Sequence, residues 1–130
     1  MNELCIEAKL ENLEIVQDFI KEQLIDCPVK IKNQINIAVE EIFSNIARYA
    51  YKPLTGIAIV RISIYEHITI EFEDKGAAHD PLSTEEPDIS LSLEERQTGG
   101  LGIFMVKRLM DSVEYRREDN KNILTIKKKF

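Results

Sequence analysis

A glutamate and an asparagine four residues apart are the first candidates for chemistry in this sequence. Glu41 and Asn45 lie in the mostly apolar stretch Val39–Ala47, and residues four apart on a helix lie on the same face. A carboxylate held beside a carboxamide can bind a hydrated metal ion or direct a proton. Taken alone, such a pair is also typical of a solvated helix edge, so its meaning depends on what the chain places opposite it.

A second carboxylate continues the apolar row of a predicted strand. Ile68, Ile70 and Phe72 alternate with polar residues, which is the period of a half-buried strand. Asp74 is the next residue on their face. A carboxylate in such a row costs free energy unless it has a partner. The alternative is that the strand ends before Asp74, which then begins a turn with Gly76. The pattern alone does not decide between the two.

A glycine-rich segment, Thr98-Gly99-Gly100-Leu101-Gly102, leads directly into a sequence of helical composition that begins at Ile103. Glycines let the backbone approach a ligand closely. The N-terminus of a helix offers unpaired N–H groups and a partial positive charge, which suit phosphate. The alternative is an ordinary flexible connection. The sequence has no Gly-x-x-x-x-Gly-Lys loop and no Gly-x-Gly-x-x-Gly turn after its first strand, so a nucleotide site of those two types is excluded.

Three helices and five strands are predicted around these segments. Helices are expected at residues 11–25 and 28–50 and from 103 to 110, and strands at 4–10, 57–65, 68–73, 113–117 and 123–128. In the second helix the core face is predicted to be Ile31, Ile35, Ala38, Ile42, Ile46 and Tyr49, with Glu41 and Asn45 at its edge and Glu40 pointing away. This order predicts an α+β two-layer sandwich, in which helices cover one face of a mixed, mostly antiparallel sheet.

Size and composition limit the class of protein. The chain has 130 residues, which suits a single domain over residues 1–130, and is 44% hydrophobic, enough for one core. Its net charge is −6, from 17 basic and 23 acidic residues, which argues against general nucleic-acid binding. No apolar run is long enough to span a membrane and the N-terminus lacks signal-peptide features, so we expect a cytoplasmic protein.

Together and in this order, the Glu41–Asn45 pair, Asp74-x-Gly76 and the glycine-rich segment strongly resemble the ATP-binding boxes of one superfamily. It contains gyrase, the Hsp-type chaperones, histidine kinases and MutL, and the resemblance covers nearly the whole chain. The resemblance implies a Bergerat-type ATP-binding fold. The compact size and the sequence Leu109–Val113 look most like the bacterial anti-sigma-factor serine/threonine kinases.

The resemblance implies a role for each matching residue. Asn45 would coordinate a Mg²⁺ ion that bridges the phosphates of ATP. Asp74 would accept a hydrogen bond from the adenine amino group, and Gly76 would let the backbone pass close to the base. Glu41 would be the general base that takes the proton from a protein serine hydroxyl.

The glycine-rich segment would hold the phosphates. The resemblance implies that Gly100, Leu101 and Gly102 admit them against the N-terminus of the following helix. Relatives carry an arginine just before this segment that can touch the terminal phosphate, which makes Arg96 a candidate. The alternative is that Arg96 is a solvated arginine of the loop. Many relatives have a histidine where this sequence has Tyr49, so no role is assigned to Tyr49.

The resemblance also implies partners. They are a sigma factor and an anti-sigma antagonist of the sulfate-transporter/antisigma-antagonist (STAS) type, and the chain itself is expected to form a homodimer. Residues 75–98, which show little periodicity, are expected to form a lid over the nucleotide. Two other functions stay open: a nucleotide-gated regulatory binding module without kinase activity, and a detached histidine-kinase catalytic domain.

Overall fold

The computed structural model describes residues 2–83 and 100–130. Five strands form one sheet, namely β1 (Asn2–Glu7), β2 (Ile57–Ile64), β3 (Ile68–Asp74), β4 (Ser112–Glu118) and β5 (Lys121–Lys128). The helices are α1 (Leu13–Gln23), α2 (Val29–Asn45) and α3 (Gly100–Leu109). The strand order is β1-β2-β3-β5-β4 and each of these neighbouring pairs is antiparallel. The predicted α+β fold is confirmed, and within the described residues its sheet is wholly antiparallel rather than mixed.

One face of the sheet is apolar and packs against the helices. The register places Val60, Phe72 and Leu124 side by side on β2, β3 and β5, and all three side chains are buried. The helices meet this face with a core that includes Val16, Ile20, Ile35, Ala38, Val39, Ile42, Phe43, Ile103 and Val106. Burial of a side chain of this size stabilises the fold by about 1.5–3 kcal/mol, so the position of α2 on the sheet is well determined.

The second helix changes its winding after Asn45. At its start, Pro28 directly precedes Val29, and the fixed φ of proline favours this place. At its end, a π-helical turn, Ile46–Ala50, continues the helix. The prediction that Tyr49 lies in the core stripe is wrong, because its side chain is 47% exposed. A π-helical turn has more residues than an α-helical turn, so Tyr49 rotates away from the line of Ile35 and Ile42.

The last two strands form the predicted hairpin. Asp119 and Asn120 both have positive φ, 51° and 62°, which is the conformation of a two-residue type I′ turn. Because the loop is only these two residues, β5 begins at Lys121, earlier than predicted. Asn122 is therefore part of the sheet, next to Asp74 on β3.

The predicted lid, residues 75–98, is described only as far as residue 83. Residues 84–98 lie outside the described residues. Residues 75–80 connect β3 to a short 3-10 turn, Pro81–Ser83, where Asp80 Oδ1 accepts the N–H of Leu82. Within residues 2–83 and 100–130, no helix is long and apolar enough to cross a membrane.

Candidate functional site

Glu41 and Asn45 lie side by side on α2, as their spacing predicts. Asn45 Nδ2 donates a hydrogen bond of 3.2 Å to Glu41 Oε1. Both side chains are half-buried, whereas the neighbouring Glu40 is exposed. The structure therefore separates the two adjacent glutamates and directs Glu41, not Glu40, towards the interior edge of the domain.

The amide oxygen of Asn45 has no partner among residues 2–83 and 100–130. Asn45 Oδ1 is buried and accepts no hydrogen bond from these residues, and a buried acceptor left unpaired costs about 1–3 kcal/mol. An amide oxygen is a ligand type that Mg²⁺ accepts, and Mg²⁺ usually takes its other ligands from waters and substrate phosphates. The described residues hold no group of three His, Cys, Asp or Glu side chains that could bind a metal ion by themselves. The residues present at Asn45 fit a magnesium ion that arrives with a phosphate ligand.

The first turn of α3 lies against Glu41. A Cβ atom added to Gly102 would overlap Oε1 and Cδ of Glu41, so only glycine allows this approach without moving the carboxylate. Gly100 and Leu101 are the first two residues of the same helix. The unpaired N–H groups of a helix start favour an anion. Glu41 lies beside this helix start, and Asn45 is hydrogen-bonded to Glu41.

Asp74 is the last residue of β3 and is 6% exposed. Its Oδ1 accepts the N–H of Gly76 at 2.8 Å and an N–H of Asn122 Nδ2 at 2.9 Å. These two bonds offset the cost of burying the carboxylate, which explains how a charge continues an apolar row. Asp74 thus belongs to the strand and also begins the turn, so both alternatives for this residue are partly right. Its Oδ2 accepts no hydrogen bond from residues 2–83 and 100–130.

Asn122 is a residue of the site that the sequence analysis missed. It lies on β5 in the row of Leu124 and Ile126, and it is 7% exposed. The signal that marked Asp74, a polar residue continuing an apolar row at period two, applies to Asn122 as well. It was hidden because the predicted strand began at residue 123.

Asn122 is held by a layer of polar side chains at this end of the core. Its Oδ1 accepts the hydroxyl of Tyr115 at 2.6 Å and Nη1–H of Arg117 at 3.1 Å. Arg117 Nη1 also donates to the carbonyl of Gly76 at 2.9 Å, and Asn122 Nδ2 donates to the carbonyl of Ala77 at 2.9 Å. The turn after Asp74 is therefore fixed from the side of the sheet.

The same turn is fixed from the side of the helix. A Cβ atom at Gly76 would overlap the carbonyl of Ala50 at the end of the π-helical turn, and Ala77 N–H donates to that carbonyl at 3.2 Å. The second helix thus meets α3 at Glu41 and the Asp74 turn at Ala50. Ala50 is nine positions after Glu41, which is roughly 13 Å along a helix. The site therefore suits an elongated ligand with an anionic end and a hydrogen-bond donor end.

Of the predicted site residues, the structure brings Glu41, Asn45 and Gly102 together in one cluster, and Asp74 with Gly76 in a second. Gly100 and Leu101 lie in the first turn of α3. Arg96 lies outside the described residues.

The two glycines should respond differently to alanine. Gly76→Ala should lower the free energy of unfolding by about 1–3 kcal/mol, because its Cβ would meet backbone that cannot move away. Gly102→Ala should leave it unchanged or raise it by up to about 1 kcal/mol, because its Cβ meets only a movable carboxylate and alanine favours a helix. Urea unfolding of both variants measures the difference, and an equal loss in the two would contradict these contacts.

Known proteins share the family and the fold of this chain. Residues 6–128 match the family described as "Histidine kinase-like ATPase domain". The histidine kinase domain from Erythrobacter litoralis EL346 blue-light activated histidine kinase has the same fold, with a TM-score of 0.57 at 16% identity over 92% of this chain and 59% of that one.

Relatives in sequence carry kinase names. Serine/threonine-protein kinase BtrW of Bordetella bronchiseptica is 26% identical over 99 residues, which cover 75% of this chain and 70% of that protein. Serine-protein kinase RsbW of Staphylococcus aureus is 31% identical over 94 residues, 67% of this chain and 59% of that protein. RsbW of Bacillus thuringiensis is 28% identical over 98 residues, 72% of this chain, and this alignment spans 61% of that protein's length. The resemblance stated from the sequence is confirmed, and the chain belongs to the histidine kinase-like ATPase domain family.

Proposed function

We propose that the chain is an ATP- and Mg²⁺-dependent protein serine/threonine kinase that is also an anti-sigma factor. The observation that carries the proposal is the position of Glu41, whose carboxylate accepts a hydrogen bond from Asn45 Nδ2 and lies against Gly102 in the first turn of α3. A protein that only bound the nucleotide would need Asn45 and Asp74 but no carboxylate at this place. Relatives named serine-protein kinases support the same activity.

The adenine base would bind at Asp74. Of the two carboxylate oxygens of Asp74, Oδ2 is the one that accepts no hydrogen bond from the described residues, and it can accept a hydrogen bond from the adenine amino group. Gly76 packs against Ala50 without a side chain, which keeps the backbone of this turn close to the base. Asn122 and Arg117 hold the turn from behind, so the acceptor is in place before the nucleotide arrives.

The phosphates would bind at the start of α3. Gly100, Leu101 and Gly102 would present backbone N–H groups to them, and Asn45 Oδ1 would hold Mg²⁺ against the phosphate oxygens. When bound, Mg²⁺ would neutralise part of the phosphate charge. We keep Arg96 as a proposed contact of the terminal phosphate.

Glu41 would act as the general base. The serine oxygen attacks the γ-phosphorus while the bond from that phosphorus to the leaving oxygen of ADP breaks, and the serine proton passes to the Glu41 carboxylate. The hydrogen bond from Asn45 orients the carboxylate. A positioned base contributes about 10²–10⁴-fold to the rate, and most of the remaining acceleration comes from charge stabilisation around the phosphoryl group.

We propose as partners a sigma factor and an anti-sigma antagonist of the STAS type, with a homodimer as the assembly. Sequestering the sigma factor would block transcription, and phosphorylating the antagonist would keep it from taking the kinase away. These partners act in the cytoplasm. The net charge of −6 supports protein partners rather than direct binding of nucleic acid or an anionic membrane.

The kinase proposal is tested by incubating the protein with γ-labelled ATP, Mg²⁺ and candidate antagonists. We expect label on the antagonist that resists acid and is released by base, as a phosphoserine is. Binding of ATP with no transfer to any antagonist would favour the regulatory binding module. An acid-labile, base-stable product would favour the detached histidine-kinase domain.

A further inference from the structure

Tyr51 joins three segments of the chain at the adenine end of the site. It directly follows the π-helical turn Ile46–Ala50. Its hydroxyl donates to the carbonyl of Ile57 at 2.6 Å and accepts the N–H of Lys75 at 2.7 Å. Its ring occupies the space beside Gly56, where a Cβ atom would overlap it. Both the ring and the hydroxyl of Tyr51 are thereby held in place.

The direction of these two hydrogen bonds is determined by their partners. A carbonyl can only accept and a backbone N–H can only donate, so the single proton of the phenol is directed to Ile57 and its lone pair to Lys75. Burial raises the pKa of the Tyr51 phenol, and the negative charges of Asp74 and Glu73 raise it further. The hydrogen bond from the Lys75 N–H lowers it, but the net effect is a raised pKa. The hydroxyl therefore stays protonated at neutral pH and keeps this arrangement.

Lys75 lies between the two residues that matter for the base. Asp74 precedes it, and none of the described residues donates to Asp74 Oδ2. Gly76 follows it and donates to Asp74 Oδ1. The hydroxyl of Tyr51 accepts the N–H of Lys75 between them. On the other side of Gly76, the carbonyl of Ala50 accepts the N–H of Ala77. The end of the second helix thus holds the backbone on both sides of Gly76, whose N–H in turn binds the Asp74 carboxylate.

We propose that Tyr51 is a positioning residue for base recognition, holding the Lys75 peptide so that Asp74 Oδ2 meets the adenine amino group. The inference rests on the proposed ATP site and adds a residue whose hydroxyl selects adenine without touching it. Loss of this hydroxyl affects the base and leaves the phosphate end, which lies roughly 13 Å away along the helix, intact.

The test is Tyr51→Phe, which keeps the ring beside Gly56 and removes only the hydroxyl. Dissociation constants for ADP and GDP with Mg²⁺ are measured by calorimetry. We expect the constant for ADP to rise about three- to tenfold and that for GDP to change by less than about twofold. The matched control is Tyr65→Phe, because Tyr65 is 88% exposed and its loss should change neither constant.

A second variant covers the case in which Tyr51→Phe does not fold. Gly56→Ala would push the Tyr51 ring aside and should give the same selective loss of ADP. Equal weakening of ADP and GDP in the folded variants, or an unchanged ADP constant, would overturn the positioning role while the ATP site stood. Failure of the unaltered protein to bind ADP would overturn the proposed function and this inference with it.

Discussion

Glu41→Gln should slow phosphoryl transfer to the protein substrate by about 10²–10⁴-fold while the affinity for ATP changes little. Glutamine has the size of glutamate, and its side-chain carbonyl can still accept the hydrogen bond from Asn45 Nδ2. It cannot take up the proton of the attacking serine. The rate constant for a single turnover at saturating ATP, together with the dissociation constant for ATP, separates the two effects.

Glu40→Gln is the matched control for this substitution. Glu40 is the adjacent residue on the same helix and is exposed. Its substitution therefore removes the same charge, but from the solvent side of the helix instead of from the site. We expect its transfer rate to stay within about twofold of the unaltered protein, since an exposed side chain away from the site contributes little. Equal rates for Glu41→Gln and Glu40→Gln would show that Glu41 lines the pocket without removing a proton.

Asp74→Asn should weaken ATP binding by about 10- to 100-fold. The hydrogen bond from the adenine amino group is lost at a buried position, and two donors then face each other there. The side-chain carbonyl oxygen of asparagine can replace Oδ1 and accept the same hydrogen bonds from Gly76 and Asn122, so the fold should survive. The amide NH₂ group of asparagine then takes the place of Oδ2. It opposes the amino group of adenine, whereas the O6 of guanine is an acceptor, so the preference for ATP over GTP should fall.

Competition between ATP and GTP for the site measures this change in preference. The matched control is Asp18→Asn, an exposed residue of α1 that makes none of the contacts described for the site. This change also removes one negative charge and should leave the preference unchanged. Asp74→Asn with undiminished discrimination between the two bases would exclude Asp74 as the adenine acceptor.

Local patterns account for the parts of the site that lie within one element. The spacing of Glu41 and Asn45 predicts that they are neighbours on one helix face, and the row of Ile68, Ile70 and Phe72 marks Asp74 as either a strand residue with a partner or the start of a turn. Asn122 carries the same kind of signal and could have been found by extending β5 two residues back to the turn. These features depend only on helical and strand periods.

Contacts between distant segments could not be predicted in this way. Nothing in the sequence indicates that Gly102 meets Glu41, or that the hydroxyl of Tyr51 reaches the Lys75 peptide. The exposure of Tyr49 follows from a π-helical turn that no periodicity marks. In each case the packing of the second helix on the sheet decides the outcome, and that packing involves the whole core.

A crystal structure of the chain with a non-hydrolysable ATP analogue and Mg²⁺ tests the central claim most directly. We predict the adenine amino group within hydrogen-bond distance of Asp74 Oδ2, the metal on Asn45 Oδ1 and the terminal phosphate at the start of α3 beside Glu41. An analogue bound in the opposite direction, or bound away from α2 and α3, would contradict this account.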